Sequence, residues 1–208
     1  MTSKSNDNVP KLVAILRGVL PRKVVAIGNI LYEAGIRKIE VPLNSPDPFN
    51  SITALAKLAL PGLTVGAGTV LNVDQVRRTH EAGGGLMVSP NSNGPVIERA
   101  VQLGMEVMPG FATATEAFAA IAAGARKIKL FPAVTYGTQH LQALRAVLPP
   151  DVEVYPVGGI SAQDIPAWLA AGAAGFGFGS ELFKPNYSLE DIDQRAKHMV
   201  DALRNAGG

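Results

Sequence analysis

Cysteine is absent from this 208-residue chain, which excludes disulfides, thiolate metal sites and a cysteine nucleophile. Charge is scarce too. Charged residues make up 17% of the chain and the formal net charge is +2, too little to mark a nucleic-acid surface. No apolar run approaches the roughly 18 residues that span a bilayer, so no membrane partner is expected. His80, His140 and His198 fall in helical stretches without metal-ligand spacing, so no metal site is expected. The opening MTSKSNDNVP lacks the apolar core of a signal peptide. Residues 1–11 are expected to form a flexible tail before one domain over 12–208, and the composition is compatible with the cytoplasm.

Hydrophobic residues are abundant, at 47%, which suits a compact α/β protein with much buried surface. Strand-like runs begin near Leu12, Lys38, Thr64, Gly85, Glu106, Lys127, Glu153 and Gly175, at intervals of about 21 to 26 residues, each followed by a helical stretch. Several units end alike, as in Glu33-Ala-Gly35, Glu81-Ala-Gly83, Ala122-Ala-Gly124 and Ala170-Ala-Gly172, with glycine suited to the left-handed residue that closes a helix. Asn72, and Thr113 with Glu116, mark helix starts. Eight such units predict a single (β/α)8 TIM barrel, with a doubly wound open sheet as the structural rival.

Lys129 carries the clearest chemical signal. In Lys127-Ile-Lys-Leu-Phe-Pro132, Ile128 and Leu130 share one strand face and Lys129 and Phe131 the other. With the apolar pair under helices, Lys129 points inward, where loss of water favours the neutral amine, a nucleophile toward carbonyls. The same parity turns Glu40 inward on strand 2, with Asn44 at the mouth. It also puts Arg17 at the end of strand 1. Strand 3 groups Ala67 with Thr69 and leaves its two glycines opposite. In barrels of this kind the reactive groups gather at strand C-terminal ends.

The runs Val157-Gly-Gly-Ile-Ser161 and Gly177-Phe-Gly-Ser180 close strands 7 and 8. These are the two turns that commonly hold phosphate in such barrels, through backbone N–H groups that glycine lets approach closely. Bland roles compete. Lys129 and Glu40 would also make a buried ion pair, though such pairs stabilise poorly. Arg17 would also close a rim salt bridge, and Thr69 would also satisfy a backbone group. Trp168 and Phe118 read as helix packing residues. Because an adjacent ionised Glu40 would keep Lys129 charged, the two are expected to stand apart, joined through water or substrate.

From about Leu12 to about Pro185 the chain closely resembles the phosphogluconate and phosphogalactonate aldolase family. The resemblance is carried by Ala14-Ile-Leu-Arg-Gly18, Glu40-Val-Pro-Leu-Asn-Ser-Pro46, Gly66-Ala-Gly-Thr-Val-Leu71, Ala112-Thr-Ala-Thr-Glu-Ala-Phe118, Lys129-Leu-Phe-Pro132, Gly158-Gly159 and Gly179-Ser180. It implies a class I aldolase, usually trimeric, that needs no metal or other cofactor and acts on a phosphorylated 2-keto-3-deoxy sugar acid. It further implies Lys129 as the Schiff-base lysine and Glu40 as the acid/base. Arg17 and Thr69 match positions that hold the carboxylate end or hydroxyls, and Gly158, Gly159, Gly179 and Ser180 match the phosphate pocket. Phosphogluconate-type members typically carry an arginine just after the glutamate strand and a threonine before the double glycine. Asn44, Val157 and Arg17 match the phosphogalactonate type instead. The alternatives are the gluconate epimer as main substrate, a phosphosugar epimerase or synthase, and a non-catalytic phosphosugar-binding barrel.

Overall fold

A computed structural model describes residues 11–207; residues 1–10 of the expected tail lie outside the described residues. The first strand begins at Lys11, one residue inside that tail. Strands and helices alternate: β1 (Lys11–Ile15), α1 (Pro21–Glu33), β2 (Lys38–Pro42), α2 (Pro48–Ala56), β3 (Thr64–Gly68), α3 (Val73–Glu81), β4 (Leu86–Val88) and α4 (Gly94–Gln102). The fifth unit has a broken strand, β5 (Glu106–Met108) and β6 (Gly110–Phe111), before α5 (Ala114–Ala122). Then follow β7 (Lys127–Leu130), α6 (Ala133–Arg145), β8 (Glu153–Pro156), a 3₁₀ turn with α7 (Ile165–Ala170), β9 (Gly175–Phe178) and α8 (Leu189–Ala206). The break falls at Pro109, which has no N–H to give a ladder; its carbonyl instead accepts from the Lys129 N–H at 2.8 Å.

All strand pairs are parallel. One sheet runs β5-β4-β3-β2-β1-β9 and the other β6-β7-β8. Neighbours follow chain order, without the reversal that a doubly wound sheet requires. The sheets meet twice: only Pro109 separates β5 from β6, and Val157 bridges Gly177 in parallel between the end of β8 and β9.

Strand alternation divides the core. Side chains such as Ala14, Ile39, Val65, Ile128, Val154 and Phe176 pack under helix residues including Leu31, Ile52, Leu141 and Met199. On the opposite faces Val13, Leu86, Val88, Met108 and Tyr155, drawn from both sheets, form a second cluster. Helix ends follow local rules. The Asn72 side chain accepts from the Gln75 N–H, and Thr113 and Glu116 form a reciprocal capping box. Gly35, Gly83, Gly124 and Gly172 all have positive φ. Trp168 is buried as expected. Phe118 is not: it is 43% exposed, because α5 buries only its alanine face, Ala117 and Ala120.

Five strands begin with a charge, and parity places Lys11, Lys38, Glu106, Lys127 and Glu153 on the same inner face as Val13, Glu40, Met108, Lys129 and Tyr155. Glu106 pairs with Lys38 at 2.7 Å and Lys127 at 3.0 Å, while Glu153 pairs with Lys11 at 2.9 Å and accepts the Tyr155 hydroxyl at 2.7 Å. This ionic layer fills the N-terminal end of the strands. Burial pushes the Glu106 pKa up, but the hydrogen bonds and charges of Lys38 and then Lys127 outweigh it, and the net value lies below the usual range. A depressed folded pKa stabilises above the unfolded carboxylate range and is lost as pH falls below it. Glu106→Gln should therefore destabilise the fold by about 1–3 kcal/mol at neutral pH, leaving two half-buried lysines short of a partner. Thermal melting should show the gap closing at acid pH; a gap that is constant with pH would refute the ionic account.

Candidate active site

Lys129 and Glu40 reach the inner face from different sheets. Ile128 and Leu130 are fully buried under the helices, which drives the intervening Lys129 to the opposite face, where it is 6% exposed. Glu40 is 2% exposed, flanked in register by Ile15 on β1 and Gly66 on β3. Its carboxylate lies against Gly68, where any Cβ would collide with Oε1 and Oε2. No ion pair or hydrogen bond joins Glu40 to Lys129, and among the described residues Oε2 is buried without a partner. The two groups are not in contact, though each feels the other's charge.

Their protonation follows. Burial raises the Glu40 pKa to about 7, opposed by Lys129 and then by Arg17. Burial also lowers the Lys129 pKa; Glu40 opposes this and Arg17 adds to it. The Lys129 Nζ sits 4.7 Å from the centre of the Phe131 ring, whose face attracts a cation without supplying a formal charge.

A cavity of about 340 Å³ opens from Lys129 and is lined by Arg17, Phe131, Val157, Gly158, Gly159, Gly179, Ser180 and Lys184, among others. Gly158 and Gly159 have φ of +97° and +76°, a conformation that side chains resist. Among the described residues, the N–H groups of Gly158, Gly159, Gly179 and Ser180 meet no protein acceptor. The Ser161 N–H and hydroxyl are instead taken by the Asp164 carboxylate at 2.8 and 2.7 Å. That leaves Ser180 as the serine at this end of the cavity.

Arg17 donates to Asn44 Oδ1 at 2.6 Å. Thr69 lies outside the lining of this cavity. Strand β3 stops at Gly68, and Thr69 adopts φ of +57°. The inward face of β3 belongs to Gly66 and Gly68, while Ala67 packs in the helix-covered layer. The left-handed residue ends the alternation that grouped Thr69 with Ala67. Sequence reasoning missed Lys184, whose side chain projects from the turn after β9, and the dependence of Glu40 on Gly68. For Lys184 the available signal was a cation four residues past the Gly179-Ser180 turn.

The family described as KDPG and KHG aldolase matches residues 6–198. The chain belongs to this family. It is 49% identical to a protein of Rhizobium meliloti strain 1021 named as a probable 2-dehydro-3-deoxy-6-phosphogalactonate aldolase, over 89% of this chain and 87% of that one. Identity is 44% to the 2-dehydro-3-deoxy-6-phosphogalactonate aldolase of Escherichia coli K12, over 94% and 95% of the two chains. A solved structure described as native KDPGal superposes with a TM-score of 0.92 at 42% identity, covering 99% of this chain and 98% of that one.

A carboxylate whose pKa is near 7 exchanges protons readily at neutral pH. Exchange of pyruvate methyl protons with D₂O should therefore accelerate as pH rises through about 7, where Glu40 ionises. A rate flat across that range would contradict the assignment. Because the folded pKa of Glu40 is raised, native protein binds the extra proton between the unfolded and folded values, and stability falls as pH rises across that window. Glu40→Gln should accordingly gain stability relative to the parent between about pH 5 and pH 8, by about 3 kcal/mol at most. Gly68→Ala should displace the Glu40 carboxylate and slow the exchange while leaving Lys129 able to trap pyruvate.

Proposed function

We propose that this chain is a class I aldolase that cleaves 2-dehydro-3-deoxy-6-phosphogalactonate to pyruvate and D-glyceraldehyde 3-phosphate, on a (β/α)8 barrel. Sequential parallel strand order, the single-residue gap between β5 and β6, and the Val157–Gly177 bridge support closure of the two sheets into one barrel. The observation that carries the function is Lys129: a buried amine, disfavoured in its charged form, opening onto a cavity that ends in two glycine turns.

In this reading Lys129 Nζ attacks the C2 ketone, and loss of water with proton help from Glu40 gives a protonated imine. The imine is the electron sink, so the step calls on no cofactor. Glu40, through water, takes the C4 hydroxyl proton; the C3–C4 bond breaks and its electron pair flows into the imine as an enamine. The aldehyde leaves, the enamine gains a proton at C3, and hydrolysis returns pyruvate and the lysine. Arg17 and Thr69 would hold the carboxylate end or hydroxyls. Gly158, Gly159, Gly179 and Ser180 would bind the phosphate through N–H groups that lack protein acceptors, with Lys184 adding positive charge. Val157, buried at the cavity wall, would offer a methyl rather than a hydroxyl to the C4 side and so favour the galactonate epimer. The 49% and 44% identities to relatives bearing that name support the same epimer.

A homotrimer is part of the proposal, and exposed apolar side chains such as Leu71, Phe118 and Val134 offer surface for it. A cytoplasmic location fits a phosphorylated substrate that does not cross membranes unaided.

Borohydride added with pyruvate should attach mass to Lys129, and Lys129→Met should abolish both trapping and turnover while the protein stays folded. Glu40→Gln should slow turnover about 10²–10⁴-fold, the usual worth of a general acid/base. Unmodified Lys129 under turnover would remove the covalent mechanism. Side-by-side pyruvate release from the galactonate and gluconate substrates tests the epimer, and a gluconate preference would overturn that part alone.

A further inference from the structure

Arg17 is exposed at the cavity rim, and long exposed side chains do not hold one position without a partner. Its side-chain partner is Asn44, whose Oδ1 accepts from Nη1 at 2.6 Å. The orientation of that amide is dictated, because a guanidinium has donors only. Next along both loops, the buried Ser45 Oγ accepts the Gly18 N–H at 2.9 Å, and the Ser45 N–H is itself fixed to Pro42 O. Two successive residues after β2 thus grip two successive residues after β1.

The chemistry of this clamp is specific. Aspartate at position 44 would make a shorter, charge-assisted bond to the guanidinium. It would also cancel the charge. Among the described residues no carboxylate forms a salt bridge with Arg17. An amide oxygen orients the guanidinium and leaves its full positive charge turned to the cavity, where Lys129 and Glu40 both feel it.

We infer that Asn44 is a positioning residue for substrate binding: its neutral amide fixes the Arg17 guanidinium at the cavity rim with its charge uncompensated, ready for the carboxylate of a 2-keto acid. The inference rests on the proposed reading that Arg17 holds that carboxylate.

The test measures the pyruvate concentration that half-saturates borohydride trapping of Lys129 in the full-length protein, together with melting temperature. Asn44→Asp should raise that concentration about tenfold or more, which is roughly 1.4 kcal/mol, and Asn44→Ala should raise it severalfold. The trapping rate at saturation and the melting temperature should stay near the parent values, since position 44 is exposed. In an Arg17→Ala background, Asn44→Asp should add nothing, because the clamp acts only through the guanidinium. If Arg17→Ala weakens pyruvate binding while Asn44→Asp does not, the Asn44 role falls and the Arg17 reading stands. An Asn44→Asp effect that persists without Arg17 likewise overturns the role. If Arg17→Ala leaves half-saturation unchanged, both fall together.

Discussion

Two opposite charges must share one interior without neutralising each other, and much of the inner face is arranged around that requirement. Direct contact between Lys129 and Glu40 would lock the lysine as an ammonium; wide separation would leave each ion stranded in a dry core. The chain solves this by giving each group its own niche. Glu40 occupies the space of the missing Gly68 side chain, and Lys129 lies over the face of Phe131. Arg17 reaches both electrostatically from the rim. It favours the ionised form of Glu40 and the neutral form of Lys129, the pair of states that the proposed nucleophile and base require.

The same inner face carries a second set of charges that behaves in the opposite way. Glu106 and Glu40 are both partly or wholly dehydrated carboxylates. Glu106 has two lysines in direct contact and is held below the ordinary range, whereas Glu40 has none and rises to about 7. Environment alone separates an ion-paired carboxylate from one poised to exchange protons at neutral pH. The apolar layer of Val13, Leu86, Val88 and Met108, with the Tyr155 ring, lies among these strands. The N-terminal ends of the strands are closed by ion pairs that stabilise, and the C-terminal ends carry the groups that the proposed mechanism uses. Glu40 Oε2 and Glu106 Oε1 are both buried without a partner among the described residues, but the second oxygen of Glu106 is held by two lysines.

Much of this was legible in the sequence because strand alternation is a strong rule. Lys129, Glu40 and their inward direction followed from apolar neighbours on either side, and the strand starts fell within a residue of their places. The rule gave out where the backbone leaves the strand region. Thr69 follows Ala67 by parity, yet its left-handed φ ends the pattern. Pro109 breaks a strand that otherwise reads as continuous. Phe118 reads as a helix packing residue, but the buried face of α5 belongs to Ala117 and Ala120 and leaves it outside. The ionic layer went unforeseen for another reason: a charge at a strand start resembles a solvated flank until the partner strands are placed beside it. Asn44 and Arg17 lie 27 residues apart, and only strand pairing makes them neighbours.

Val157 ties the proposed specificity to the architecture. Its backbone bridges Gly177 where the two sheets meet, its N–H donates to Leu130 and its carbonyl accepts from Ala133, so its position is fixed from three sides. Its Cγ2 fills the space that a Cβ on Gly177 would need. A residue pinned this firmly cannot move to suit a different substrate; only its chemistry can change. Valine and threonine share a shape and differ by one hydroxyl, which in a buried wall must find a partner or cost free energy. A substrate hydroxyl on that side is such a partner, and its absence is a reason to prefer the methyl. In the proposed reading, discrimination between two epimers would reside in a side chain that the fold holds still, while the groups that do the chemistry remain the same.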